Sequence, residues 1–179
     1  MTDYVSVTAD APDGRTGAIK LHGRAAFDGM HRAGRLCAET LDMLVPHMVP
    51  GVTTAEIDRL VYDFVLARGG VPATLGYRGY THSTCISINH VVCHGIPSDK
   101  TLKSGDIVNV DVTPILDGWH GDSSRMYLIG DVPLKARRLV MTRQGTASAM
   151  SARSGSPSRC AEDSSGSAKI MVRAPAGAR

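Results

Sequence analysis

Between residues 108 and 113 the chain alternates strictly between apolar and polar residues, and Asp117-Gly118 follows shortly after, a pattern that few folds other than a β-hairpin can accommodate. In Val108-Asn109-Val110-Asp111-Val112-Thr113 the three valines fall on one face, and Asn109, Asp111 and Thr113 fall on the other. Asp-Gly favours a two-residue loop, because the turn that fits strand twist needs positive φ at both central positions. Such a loop pairs Leu116 with Trp119, which sets Asp111 opposite Ser124 and Asp122 opposite Thr113. The two aspartates then become diagonal neighbours on one face, with Cα atoms about 7–8 Å apart.

Two carboxylates that close raise each other's pKa unless a cation offsets the repulsion, so the pair points towards one or two divalent metal ions. Spacing alone leaves a second possibility open, that both aspartates are solvated on an exposed face. A bulge at Pro114 would also shift the register.

Before this hairpin the periodicity is helical. From Phe27, the positions Met30, Ala33, Leu36, Cys37, Leu41 and Leu44 recur at spacings of three and four, predicting a helix that ends near Pro46. A second helix is expected from Thr53, where Thr53 and Glu56 have capping-box spacing. Ile57, Leu60, Val61, Phe64 and Val65 form its apolar stripe, and Gly69-Gly70 ends it. Four short β-rich runs follow, Thr84 to Asn89, Val91 to His94, Asp106 to Ile115 and Trp119 to Ile129, so two helices precede an antiparallel sheet. From Met141 the periodicity stops, with about two-thirds of the residues Ser, Ala, Gly or Arg and Ile170-Met171-Val172 the sole apolar cluster. The expected organisation is a flexible extension over 1–16, a folded body over 17–140 and a disordered tail over 141–179.

Composition narrows the class. With 42% hydrophobic and 21% charged residues the chain has globular proportions, and no apolar run approaches the length of about eighteen residues that a membrane span requires. The N-terminus lacks the basic start and apolar stretch of a secretion signal, so a cytoplasmic location is expected. Cys37, Cys85, Cys93 and Cys160 are irregularly spaced in such a chain, which predicts buried free thiols and no disulfide framework. The net charge of +3 belongs to residues 141–179, which hold six basic residues against two acidic ones and leave −1 for the rest. A specific nucleic-acid partner is therefore not expected. His94 ends an apolar run, a place where an imidazole can reach a cleft, although a lone histidine there is more often structural. His90, His94, Cys85 and Cys93 together match no usual zinc spacing.

Several segments, in order, resemble the type I methionine aminopeptidase family. The signature lies in Val91-Val92-Cys93-His94-Gly95-Ile96-Pro97, Gly105-Asp106-Ile107-Val108-Asn109-Val110-Asp111-Val112 and Asp117-Gly118-Trp119-His120-Gly121-Asp122-Ser123-Ser124-Arg125-Met126. Upstream, Met30-His31-Arg32-Ala33-Gly34-Arg35, Val49-Pro50-Gly51-Val52-Thr53-Thr54 and Leu75-Gly76-Tyr77-Arg78-Gly79-Tyr80 are similar to it as well. The resemblance covers residues 17–140 and implies an α+β protein, the N-terminal half of the pita-bread (creatinase/aminopeptidase) fold.

It also implies a metallopeptidase that removes the initiator methionine from nascent polypeptides using two divalent metal ions (Co, Fe, Mn or Zn) to activate water. By resemblance Asp111 is a ligand of one metal, Asp122 bridges both, and His94 contacts the substrate near the scissile amide. Tyr77, Tyr80 and Cys85 resemble the lining of the methionine side-chain pocket, although core packing explains such residues too. The family takes a histidine, two glutamate ligands and a second substrate-facing histidine from the half of the domain that follows. Here no histidine occurs after His120, and Glu162 and Asp163 are the only acidic residues after Asp131. The resemblance thus predicts weak metal binding and impaired or absent activity. It further predicts apolar surface left open around Val108, Val110 and Val112, and self-association in a family that is usually monomeric. A reading-frame shift near codon 140 would produce the abrupt change in composition. Two other readings are a non-catalytic pita-bread-like module that binds peptides or proteins, and a prolidase-like peptidase of the same fold.

Overall fold

The computed structural model describes the backbone of residues 3–7, 17–141 and 171–173, with side chains described over 22–141. Helix α1 spans Arg24–Leu44 and buries Ala33, Leu36, Cys37, Thr40, Leu41 and Leu44 along one face. A 3₁₀ turn, Val45–His47, with Pro46 inside it, ends the helix where the sequence places its stop. Helix α2 spans Thr54–Ala67, and its N-cap Thr53 forms the expected capping box: the Glu56 amide donates to the Thr53 hydroxyl, and the Thr53 amide donates to the Glu56 carboxylate at 2.8 Å. At the other end the Gly69 and Gly70 amides close back onto Leu66 and Val65 carbonyls, with Gly69 at φ 74°.

The sheet lies against these helices. Its strands are β3 (Val71–Pro72), β4 (Thr84–Ile88), β5 (Ile107–Val112), β6 (Pro114–Leu116) and β7 (Trp119–Leu128), all paired antiparallel. A shorter pair, β1 (Asp3–Val7) with β2 (Gly17–Leu21), precedes α1. Thus Asp3–Val7, inside the stretch expected to be a flexible extension, is a strand, while residues 8–16 lie outside the described residues. Residues 134–141 are helical and form α3. Of the tail beyond, only β8 (Met171–Arg173) is described; it pairs with β7, Gly121 with Val172 and Asp122 with Met171. The rest of the tail expected to be disordered lies outside the described residues.

Alternation dictates the core. Val108, Val110 and Val112 are 0%, 0% and 1% exposed, and they share one cluster with Cys37, Leu41 and Leu44 of α1, Ile57, Val61 and Val65 of α2, and Ile86, Ile88 and Tyr127 of the sheet. This corrects the expectation of open apolar surface around the three valines: the apolar stripes of α1 and α2 cover them, at about 1.5–3 kcal/mol for each buried side chain. Polar clasps fix α1 on β7, with the Tyr127 hydroxyl donating to the Leu41 carbonyl at 2.6 Å and Arg125 paired with Asp42 at 2.7 Å.

Val91 to His94 is not a strand, contrary to the sequence reading. Asn89 adopts φ 54° and turns the chain, Val92 is 91% exposed, and His94 adopts φ 55°, so the apolar run is a loop laid along β4. The Ile86 amide donates to the Gly95 carbonyl at 2.8 Å and holds that loop to the strand. Among the described residues no helix is long and apolar enough to cross a membrane.

Candidate active site

The turn at Asp117-Gly118 is built as its chemistry requires, with φ of 51° at Asp117 and 79° at Gly118, both positive as a type I′ turn needs. The register is the expected one: Leu116 pairs with Trp119, Ile115 with His120, Val112 with Ser123 and Asp111 with Ser124. Pro114 starts a new ladder segment without slipping the register. Asp122 therefore lies opposite Thr113, whose hydroxyl donates to its Oδ1 at 3.3 Å. Asp111 and Asp122 are both half-buried and lie on the face turned away from the helices.

The charges on this face act on one another. Burial pushes the Asp111 carboxyl above its ordinary range and the Asp122 charge pushes it further, while His94 pulls it down. His94, though exposed on its loop, is thus within electrostatic reach of Asp111. The neighbouring Gly95 amide donates to Ser87 Oγ at 3.1 Å, anchoring the loop beside β4.

On β4, Cys85 pairs in register with Asp111. Its thiol is pushed up by burial foremost, lowered by its hydrogen bond with Tyr80, and raised by the charges of Asp111, Asp58 and Cys93. The Tyr80 hydroxyl receives the Cys85 thiol at 3.7 Å and itself donates to the Thr84 carbonyl at 2.8 Å. Burial and the Cys85 contact raise the Tyr80 phenol. Tyr77 stands apart, 64% exposed, with Arg78 over its ring. Of the three residues assigned to the pocket, the fold gathers Tyr80 and Cys85 beside Asp111 and leaves Tyr77 outside.

Two supporting residues escaped the sequence reading. Asp58 on α2 accepts at one oxygen from the Ser83 amide (2.9 Å), the Thr84 amide (2.9 Å) and the Thr84 hydroxyl (2.7 Å), while its other oxygen lies 3.5 Å from His82 Nδ1. The His82 ring meets Tyr80 edge-to-face at 5.7 Å. Only the placement of Asp58 beside the apolar stripe of α2 hinted at an inward carboxylate. Of the thiols expected to be buried, Cys37 is; Cys85 is half-buried and Cys93 exposed, because the 91–96 segment is a loop, and Cys160 lies outside the described residues. Among the described residues, no three His, Cys, Asp or Glu side chains converge closely enough to hold a metal ion by themselves. Glu162 and Asp163 lie outside them.

Residues 28–158 match metallopeptidase family M24. The chain is 55% identical over 122 residues to a methionine aminopeptidase of Rickettsia prowazekii (strain Madrid E), covering 68% of this chain and 47% of the relative. It is 50% identical over 129 residues to a methionine aminopeptidase of Escherichia coli (strain K12), covering 71% of this chain and 49% of the relative. Its fold is similar to the crystal structure of methionine aminopeptidase from Rickettsia prowazekii, with a TM-score of 0.67 at 54% identity over 69% of this chain and 50% of that one. The chain spans about half the length of the curated relatives it matches.

Proposed function

The chain belongs to metallopeptidase family M24, and from that premise we propose that it is a portion of a methionine aminopeptidase in which Asp111 and Asp122 take divalent metal. The fold is the α+β pita-bread fold of that family, represented by its helical and hairpin-bearing half. The observation that carries the proposal is the pair of carboxylates on one face of a hairpin, close enough for Asp122 to raise Asp111. Two hard oxygen donors under mutual repulsion suit a divalent cation, and the described residues fit one in part, since they bring no third His, Cys, Asp or Glu to the pair. A bound ion would supply Lewis acidity, lowering the pKa of water and polarising a carbonyl.

The chain's own residues have separate tasks in this reading. His94, exposed and near Asp111, faces the scissile amide of a polypeptide with an N-terminal methionine. Tyr80 and Cys85 receive the methionine side chain, because an aromatic wall and a sulfur suit a polarizable thioether. Tyr77 reaches that pocket only if its loop folds inward from the exposed position it holds. The compartment is the cytoplasm, and Co, Mn, Fe or Zn is the metal.

Calorimetric titration of the whole chain with Mn²⁺ or Co²⁺ tests the site, together with turnover of Met-Ala-Ser. Weak binding that disappears in Asp122→Asn, with little or no turnover, is the expected result. Equal binding by wild type and Asp122→Asn would remove the metal site, and turnover at the rate of an intact relative would show that the pair suffices. Cleavage of an Xaa-Pro dipeptide in preference to Met-Ala-Ser would transfer the assignment to a prolidase-like enzyme.

A further inference from the structure

The Cys37 thiol is fully buried on α1 and donates to the Val112 carbonyl at 3.5 Å. The Ser123 backbone also hydrogen-bonds to this sulfur. Val112 and Ser123 are a cross-strand pair, the one following Asp111 and the other following Asp122. One sulfur therefore holds both strands at the residues adjoining the two carboxylates, from the opposite face. The helix is also in backbone contact with β7 one residue before Asp122, where a Cβ built on Gly121 would lie 2.2 Å from the Ala33 carbonyl oxygen. No side chain fits there, so α1 fixes the height of this stretch of β7.

We propose that Cys37 is a positioning residue for the metal face, its thiol seated beneath the Val112–Ser123 pair setting the separation of Asp111 and Asp122. This rests on reading those aspartates as metal ligands. Separation matters because ligand distances tolerate only about 0.2 Å of error around a bound ion. The size of the group at position 37 controls it: a smaller side chain leaves the Val112–Ser123 pair unsupported over a void, and a branched one lifts or splays it. The chemistry of the group fits the task as well. Burial foremost, then the charges of Asp122 and Asp111, push the thiol up to about 12, so it stays a neutral donor and adds no third negative charge behind the pair.

The test uses the whole chain, with Mn²⁺ alone as probe, read by electron paramagnetic resonance and calorimetry, and with the unfolding midpoint of the metal-free protein measured alongside. Cys37→Val is expected to weaken Mn²⁺ binding about tenfold, the loss typical when support behind a ligand is removed. Cys37→Ser, which keeps a small donor, should bind within about threefold of wild type on the same reasoning. Leu44→Ala, which opens the same helix away from the Val112–Ser123 pair, should lower the unfolding midpoint and leave Mn²⁺ affinity unchanged. A folded Cys37→Val chain that binds as wild type does, or a Leu44→Ala chain that loses as much affinity as Cys37→Val, would overturn the proposal.

Two further measurements keep it decidable. If Cys37→Val does not fold, Cys37→Ala replaces it, and undiminished binding by that variant counts against the role. If the wild-type chain binds no Mn²⁺, the metal reading fails on its own account. The amide shifts of Asp111, Val112, Asp122 and Ser123 in the metal-free chain then decide the positioning: they move together in Cys37→Ala and stay put in Leu44→Ala, or Cys37 has no such role.

Discussion

On the helix side of the hairpin, Val108, Val110 and Val112 are sealed under α1 and α2, whereas on the other side Asn109, Asp111, Asp122 and Ser124 stay half-exposed. Both faces come from alternate residues of the same strands, so their difference is one of partners and not of backbone. The covered face has two helices cut to fit it, with apolar stripes at helical spacing. The open face has a short loop carrying His94 at one margin and the β8 pairing at another. Stability therefore belongs to one face and the proposed chemistry to the other, with Cys37 the proposed link between them, and substitutions away from that link should divide accordingly.

The largest effect is expected where the covered face loses volume. Leu41→Ala, at a fully buried position on α1, should cost about 3 kcal/mol in denaturant-measured stability while leaving any metal affinity intact. A parallel loss of metal affinity would mean that coupling between the two faces is not confined to Cys37.

A smaller effect, with a definite sign, is expected on the open face. The Asp111 carboxyl titrates above its ordinary value of 3.8 in the folded chain, through burial first and Asp122 second. Between the unfolded and folded values the native state binds the extra proton, so metal-free stability should fall as pH rises through that window and recover on acidification into it. Asp111→Asn should flatten this dependence in pH-resolved denaturation curves. A wild-type curve rising with pH across the window would show that burial does not govern this carboxyl.

The smallest effect is expected at the hairpin tip, which belongs to neither face. Arg32 and Asp117 form an exposed pair at 3.1 Å, and Arg32→Ala should change stability by no more than about 0.5 kcal/mol. A larger loss in thermal unfolding would give the turn a structural partner that its own backbone does not need.

What the sequence made legible follows the same division. Asp117-Gly118 and strict alternation fixed the register, and with it the diagonal placement of Asp111 and Asp122, because both signals are local. The capping pair Thr53 and Glu56 located α2 for the same reason. Residues 91–94 misled, since an apolar run can form a strand or an exposed loop, and the choice rested on left-handed backbone at Asn89 and His94 that composition does not announce. Asp58, His82 and Cys37 were illegible as site supports: each acts through a partner brought near only by tertiary packing. The nearness of His94 to Asp111 came from family resemblance, not from spacing, and Tyr77 shows that resemblance does not guarantee placement.

Asp58, with three donors on one oxygen at the start of β4, has a consequence for how the chain tolerates change. The same helix holds the other end of the intervening stretch, through the Gly70 amide on the Val65 carbonyl. Residues 71–82 thus leave and return to α2 at two clasped points, so extra residues inserted at the outer part of that excursion, near Tyr77, would lengthen it without displacing the sheet. Added length is absorbed there, while Tyr80, close to the clasp, is held near the strands.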